Sequence, residues 1–354
     1  MFCLARSEWN FGNSLHYPVL LIAIQTHILP RMHYIVTGGA GFIGSHITRT
    51  LVESDHDVTV IDDFSSGKRK NIQKVLSSGK VTLAEGSITD VDLLERSFDG
   101  ADGVFHEAAI VSVPWSVAHP VETAEVNVLG TLQVLAAARD AGVKKVVLAS
   151  SSAVYGDNPE LPKREEMLAE PMSPYALSKL TGEYLGAVFS RSYGLDFVAL
   201  RYFNVYGPGQ DPTSAYAAVI PKFITRIFDH EVPLIYGDGS QTRDFIYIAD
   251  VVKANLCAME RSVNGVFNIA SGERTSVKEL STLIPDAMNV NVQARYEQPR
   301  AGDILHSCAD ITRMKQELCT PDFSLPKGLS ETIAWYRNNT GAVGGGTKLT
   351  GDYT

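Results

Sequence analysis

The sequence predicts an α/β protein built on a doubly wound parallel sheet. Two observations predict it. From residue 33 to residue 149, short apolar strands alternate with helical stretches, the order that gives parallel strands joined by crossover helices. The first strand also runs into a glycine-rich turn, Gly38-Gly39-Ala40-Gly41-Phe42-Ile43-Gly44, with a helix behind it. Such a turn puts free backbone N–H groups and a positive helix end at the sheet's carboxyl edge, where anionic ligands bind.

The elements follow in order. His33 to Thr37 is a short buried strand. The glycines after it fit the general dinucleotide spacing through Gly39, Gly41 and Gly44, and a second version through Gly38, Gly41 and Gly44. They permit a tight turn and close approach of backbone to a pyrophosphate, with Phe42 and Ile43 inside the same cofactor-binding turn. Ser45 to Glu53 is the helix, and Asp57 to Ile61 is a second strand that ends at Asp62. An aspartate there accepts from both ribose hydroxyls and repels a 2′-phosphate, which favours NAD over NADP. Lys68 and Arg69 follow soon after and keep the phosphate alternative open. Val81 to Ala84 is a strand, Leu93 to Phe98 lies on a helix, and Gly103 to His106 is a strand. Val121 to Ala141 reads as one long helix with apolar positions at Val128, Leu132 and Leu135. Lys145 to Ala149 is the next strand, and it runs directly into Ser150-Ser151-Ser152-Ala153-Val154-Tyr155-Gly156. Hydroxyls at that carboxyl end face the ligand edge.

Tyr175 and Lys179 lie four residues apart in Ser173-Pro174-Tyr175-Ala176-Leu177-Ser178-Lys179. Ser173 suits a helix N-cap and Pro174 the first helical position, so both side chains fall on one helix face. A phenol titrates near pKa ~10, and lowering that by about 3 units takes roughly 4 kcal/mol of differential stabilisation. An ammonium one turn away, together with a cationic nicotinamide ring, works in that direction. The pair reads as a general base with its activator.

The whole chain sets bounds. With 354 residues, 45% of them hydrophobic, it can bury one large or two interlocked domains. A net charge of −9 opposes a nucleic-acid or anionic-membrane surface. Cys3, Cys257, Cys308 and Cys319 are scattered with no Cys-x-x-Cys pair, which reads as reduced thiols in a cytoplasmic protein. The nine histidines show no metal-ligand spacing, so no metal site is expected. Val19 to Ile24 is apolar but far too short to span a bilayer.

Taken together, the glycine turn, Ser151 and the Tyr175–Lys179 pair resemble the extended short-chain dehydrogenase/reductase family over about residues 32 to 338. The resemblance implies a Rossmann-type NAD-binding domain over 32–200, rejoined by the chain near 245–270. It implies a smaller α/β substrate-binding domain over 201–338. Residues 1–31 are then an N-terminal extension and 339–354 a flexible tail. In that family the serine five positions before the glycine of the Ser150–Gly156 run bonds the reacting hydroxyl, here Ser151. Dehydrating relatives carry an Asp-Glu pair at the next two positions and decarboxylating relatives a glutamate. This chain has Ser152 and Ala153 there, so it holds no carboxyl group for elimination at those positions, and the resemblance narrows to epimerases.

Downstream, Arg201 to Pro208, Ala217 to Phe223 and Gly237 to Phe245 look like the substrate half of UDP-sugar 4-epimerases. For the cofactor, the resemblance implies Phe64, Gly67 and Lys68 near the adenosine and Ser87 and Ile88 at the adenine. It places Ala108, Ala109, Val111, Ser150 and Tyr202 along the cleft. Ser112 and Asn127 fall near substrate and nicotinamide. Asn204, Arg243 and Arg300 fall on a diphosphate, which suits guanidinium forks. Ala218, Val219, Phe223 and Tyr236 accompany the nucleotide with Asp303, and Ser152 accompanies Ser151. Two positions depart from the pattern: Ser87 stands where relatives carry aspartate, and Gly209 where they often carry arginine. The resemblance further implies that Ser307 gates the sugar pocket, a small residue leaving room for a 2-acetamido group. The implied activity is C4 epimerisation of UDP-N-acetylglucosamine, with UDP-glucose also turned over, by a homodimer holding NAD. A UDP-glucuronate 4-epimerase, a net reductase and a non-catalytic NAD sensor are the alternatives.

Overall fold

A computed structural model describes residues 31–212, 218–299 and 305–339. The expectations placed on 1–30, on Arg300 and Asp303, and on 340–354 lie outside these residues. The chain runs β1 (His33–Thr37), α1 (Phe42–Glu53), β2 (Asp57–Asp62), α2 (Arg69–Leu76), β3 (Val81–Glu85), α3 (Val91–Phe98) and β4 (Gly103–His106). Two short helices, α4 (Val113–Ala118) and α5 (Pro120–Ala124), lead through a π-helical segment at Glu125–Gly130 into α6 (Thr131–Asp140). Next come β5 (Lys145–Ser151), α7 (Pro174–Tyr193) and β6 (Asp196–Tyr202). Shorter elements follow: β7 (Asn204–Tyr206), α8 (Val219–Phe228), β8 (Leu234–Tyr236), β9 (Thr242–Arg243) and β10 (Phe245–Tyr247). The chain closes with α9 (Ile248–Glu260), β11 (Gly265–Ile269), β12 (Thr275–Ser276), α10 (Val277–Met288), β13 (Arg295–Glu297) and α11 (Leu325–Asn339).

Seven strands form one sheet in the order β11-β6-β5-β4-β1-β2-β3. Every neighbouring pair in it is parallel. The chain winds outward from β1 to β3, then crosses back to β4 on the other side. The strand order therefore reverses between β1 and β4, which opens a crevice at their carboxyl ends. Both faces are covered, as an all-parallel sheet requires. Ile47 and Leu51 of α1 and Val251 of α9 pack on one face; Leu94 of α3, Leu135 of α6 and Phe189 of α7 pack on the other. Ile220 and Phe223 of α8 and Ile284 of α10 belong to the same core as Ile47, so the C-terminal elements are built onto the sheet rather than around a core of their own.

One helix differs from the expectation. Val121 to Ala141 is not a single α-helix, because residues 125–130 are wound as a π-turn. Such a turn takes in an extra residue and is common at functional sites. Here it accompanies an inward Asn127. The Asn127 amide bonds both backbone groups of Ile110, accepting from its N–H (2.8 Å) and donating to its carbonyl (2.9 Å), and also donates to Ser178 Oγ (3.0 Å). Apolar periodicity cannot reveal one inserted residue. The π-turn ties the loop after β4 to α7, the two segments that frame the crevice.

Candidate active site

The crevice opens into a cavity of about 840 Å³ at the strand ends. Of the cofactor residues expected from sequence, Gly38, Gly41, Phe42, Ile43, Gly44, Asp62, Gly67, Ser87, Ile88, Ala108, Ala109, Val111, Ser150 and Tyr202 line it. So do Ser112, Ser151, Tyr175, Lys179, Asn204 and Ala218. Side chains separated by up to 180 positions thus meet in one space, because the parallel crossovers bring every strand's carboxyl end to the same edge.

The glycine turn is built for close approach. Gly38 adopts φ +66, a left-handed conformation that suits glycine. At Gly44 a Cβ would stand 2.2 Å from the Gly38 carbonyl oxygen, so helix α1 can press against the turn only without a side chain there. Beyond the turn, Asp62 is buried and accepts from the backbone N–H groups of Ala40 and Phe64, both at 2.8 Å. Burial pushes its carboxyl above the usual value, and those two hydrogen bonds oppose the shift. Gly67 packs on the same carboxylate. The arrangement offers backbone donors for a diphosphate at one end and a carboxylate at the other, so the residues present fit a dinucleotide.

The expected reacting end lies on α7. Ser173 caps the helix through a 3.1 Å bond from the Ala176 N–H, with Pro174 in its first turn. A second tether sets Tyr175, whose N–H donates to the buried Ser116 Oγ of α4 (3.1 Å). Tyr175, Lys179 and Glu183 follow at helical spacing on one face. Lys179 is only 6% exposed and donates from Nζ to the Ala149 carbonyl of β5 (2.8 Å). Glu183 receives Ser150 Oγ and a two-pronged ion pair from Arg201 (2.9 and 2.7 Å), clamping α7 to β5 and β6. This clamp fixes how far Tyr175 stands from Ser151.

Three effects act on the Tyr175 phenol. Burial dominates and pushes Tyr175 above the ordinary phenol value. The Ser151 hydrogen bond pulls it down, and the Glu107 charge pushes it up. Lys179 is itself lowered to about 8 by burial. The protein's own groups therefore leave Tyr175 a phenol near neutral pH.

Other expected residues stand back from the cavity wall. Phe64 carries the Arg69 guanidinium over its ring (4.5 Å), and Lys68 pairs with Asp211. Asn127 spends its amide on Ile110 and Ser178. Ser152 sits in the 3₁₀ turn after β5. Val219 and Phe223 lie on α8, Phe223 facing the core, and Tyr236 is half-buried on β8. Arg243 and Ser307 come together although 64 positions apart. Thr242 bridges His306 in parallel register, with Ser307 N–H donating to the Thr242 carbonyl (3.1 Å). Gly209 has φ +86 beside His46, so the residue that departs from the family's arginine sits in a backbone conformation suited to glycine.

Sequence reasoning passed over Glu107, Trp115 and Gln210, which also line the cavity. Glu107 could have been found. It is an acid one residue past a buried strand, at the edge where ligands bind. Its side chain lies deep in the cavity wall and is pushed up to about 7 by burial, against the Tyr202 hydrogen bond and the Lys179 charge.

Residues 34–270 match the family model described as the NAD dependent epimerase/dehydratase family. The chain is 43% identical to a UDP-N-acetylglucosamine 4-epimerase from Methanobrevibacter ruminantium M1, solved in complex with UDP-N-acetylmuramic acid. That likeness has a TM-score of 0.85 and covers 88% of this chain and 100% of the other. It is 38% identical to the UDP-glucose 4-epimerase of Mycolicibacterium smegmatis, over 87% of this chain and 100% of that protein. At 30% identity and a TM-score of 0.80 it also resembles a mutant of a UDP-glucuronic acid 4-epimerase from Bacillus cereus. That structure holds NAD and UDP-4-deoxy-4-fluoro-glucuronic acid, and the likeness covers 87% of this chain and 99% of the other.

Proposed function

Since the chain belongs to the NAD-dependent epimerase/dehydratase family, we propose that it interconverts UDP-N-acetylglucosamine and UDP-N-acetylgalactosamine, and UDP-glucose and UDP-galactose, by inverting C4. It is an isomerase of the UDP-sugar 4-epimerase type, and its cofactor is NAD. The observation that carries the reading is the grouping of Tyr175, Ser151 and Lys179 in one cavity, with Ser152 and Ala153 where an eliminating enzyme needs carboxyl groups.

When bound, NAD supplies a hydride acceptor and donor, and a cationic ring whose charge favours the Tyr175 phenolate. Tyr175 removes the proton of the C4 hydroxyl, which Ser151 holds by a hydrogen bond. C4 becomes a ketone. Lys179 keeps a positive charge beside the phenolate from its seat on the Ala149 carbonyl. The 4-keto sugar turns about its diphosphate link while Asn204 and Arg243 hold the nucleotide end. Tyr175 then returns the proton with the sugar's opposite face presented, and C4 is inverted with no net redox change.

The acetamido preference rests on Ser307, a small residue that the parallel Thr242–His306 bridge brings alongside Arg243. Comparing kcat/KM for UDP-N-acetylglucosamine, UDP-glucose and UDP-glucuronate by product chromatography tests it. The first two should form C4 epimers within about tenfold of each other. Turnover of UDP-glucuronate alone would replace this reading with the uronate one.

The protein also works as a homodimer on this reading. Leu129 in the π-turn, Leu132 on α6, and Leu177, Tyr184 and Val188 on α7 are all exposed. Two copies packing these helices across a two-fold axis would cover an apolar face otherwise left to water. Light scattering at micromolar concentration should report twice the chain mass, and a monomer would contradict it. A cytoplasmic location fits the free Cys257, Cys308 and Cys319.

A further inference from the structure

Lys179 is an ammonium in a buried seat with one neutral acceptor, the Ala149 carbonyl. A buried charge needs more than that. The sheet register brings an acid to the same edge. Strands β4 and β5 pair His106 with Leu148 in parallel as the last pair of their register, and Glu107 and Ala149 follow at that edge, both lining the cavity. Glu107 is anchored there by its N–H to the Thr37 carbonyl (3.1 Å). Its carboxyl is then aimed by a chain of donors. Asn255 on α9 faces Tyr202 Oη with both amide atoms, Nδ2 at 2.8 Å and Oδ1 at 3.0 Å, and Tyr202 Oη stands 2.8 Å from Glu107 Oε1, within reach to donate. With Asn255 Nδ2 donating to Tyr202, the phenol's one proton is left for Glu107, an arrangement that suits a carboxylate, which only accepts.

We propose that Glu107 is the counter-ion of Lys179, a positioning residue that keeps the ammonium charged beside Tyr175 and so sets the pH range over which the base works. The proposal rests on the Tyr175–Lys179 reading above. The other groups around Lys179 cannot serve. His106 on β4 is neutral, held by Thr37 Oγ1 (2.7 Å) and Thr131 Oγ1 (2.9 Å) and pushed down to about 3 by burial and by Lys179. Glu183, one turn on along α7, is taken up by Arg201. Tyr202 on β6 is held as a phenol, its ionisation driven well up by burial and the Glu107 charge. Ser151 is uncharged. Among the described residues Glu107 supplies the negative charge that Lys179 feels, raising a pKa that burial alone would depress further.

The sign follows for both limbs of a pH profile. Replacing Glu107 by glutamine keeps the shape and an acceptor for Tyr202 but removes the charge. Lys179 then loses its proton at lower pH, and Tyr175, which the Glu107 charge pushes up, ionises at lower pH as well. The active window slides down as a whole. A merely structural role would lower its height and leave both limbs in place.

The experiment is a 13C NMR titration of the lysine Cε signals in lysine-labelled, NAD-loaded protein, with Lys179 assigned by its loss in Lys179→Met. Lys179 should titrate below the ordinary lysine range in the parent. It should move down by about one pH unit in Glu107→Gln and return in Glu107→Asp. In parallel, both limbs of log kcat/KM against pH should move down in Glu107→Gln and return in Glu107→Asp. If Glu107→Gln fails to fold, Tyr202→Phe should give a smaller shift of the same sign, because the carboxylate loses its donor. A Lys179 titration unmoved in the folded variant overturns the proposal. The NMR result stands whatever the substrate proves to be, so an absence of epimerase activity would sink the functional reading without deciding this one.

Discussion

Tyr175→Phe should lower kcat by about a thousandfold or more while NAD stays bound, the scale expected when a positioned acid–base group is lost. The variant removes one oxygen and little else. The Tyr175 backbone stays tethered to Ser116, the helix keeps its Ser173 cap, and the ring still fits its place. What disappears is the proton acceptor and its bond to Ser151. A thousandfold loss corresponds to about 4 kcal/mol of transition-state stabilisation. Unchanged cofactor content and melting temperature would separate lost chemistry from lost structure. More than a tenth of the parent's kcat would remove Tyr175 from the role of base.

Gly44→Ala should strip the protein of its cofactor and with it the activity. The new Cβ would meet the Gly38 carbonyl oxygen at 2.2 Å and the Gly39 Cα at 2.9 Å. Both are backbone atoms inside the glycine-rich turn, so no rotamer relieves the clash. Helix α1 must move away from the turn, which opens the cradle; overpacking of this kind costs about 1–3 kcal/mol in stability. Absorbance of cofactor released from denatured protein, set against protein concentration, reads the outcome. A variant carrying a full complement of NAD would show that the close approach at Gly44 is not what holds the diphosphate.

The sheet was legible because its signals are local. A short buried strand, a glycine run and an acid at the next strand's end are read from contiguous sequence. The Tyr175–Lys179 face follows from helical spacing alone. What escaped the sequence depends on who bonds whom. Asn127 is held by Ile110 and Ser178, and no pattern around it announces the π-turn in which it sits. Glu107 looks like an ordinary polar residue after a strand until Tyr202, from a strand almost a hundred positions later, is seen donating to it. Helical spacing sets Lys179 beside Tyr175 but does not report burial, which pushes the phenol up. Arg243 and Ser307 meet only through the bridge between Thr242 and His306.

The central claim is inversion at C4 by a cofactor that is regenerated in every cycle. It is tested most directly by incubating the purified protein with UDP-N-acetylglucosamine and added NAD, following products by chromatography and absorbance at 340 nm together. UDP-N-acetylgalactosamine should accumulate over many turnovers, with no rise in absorbance beyond the small amount set by enzyme-bound cofactor. Reduced cofactor growing in step with product, or a product other than a C4 epimer, would contradict it.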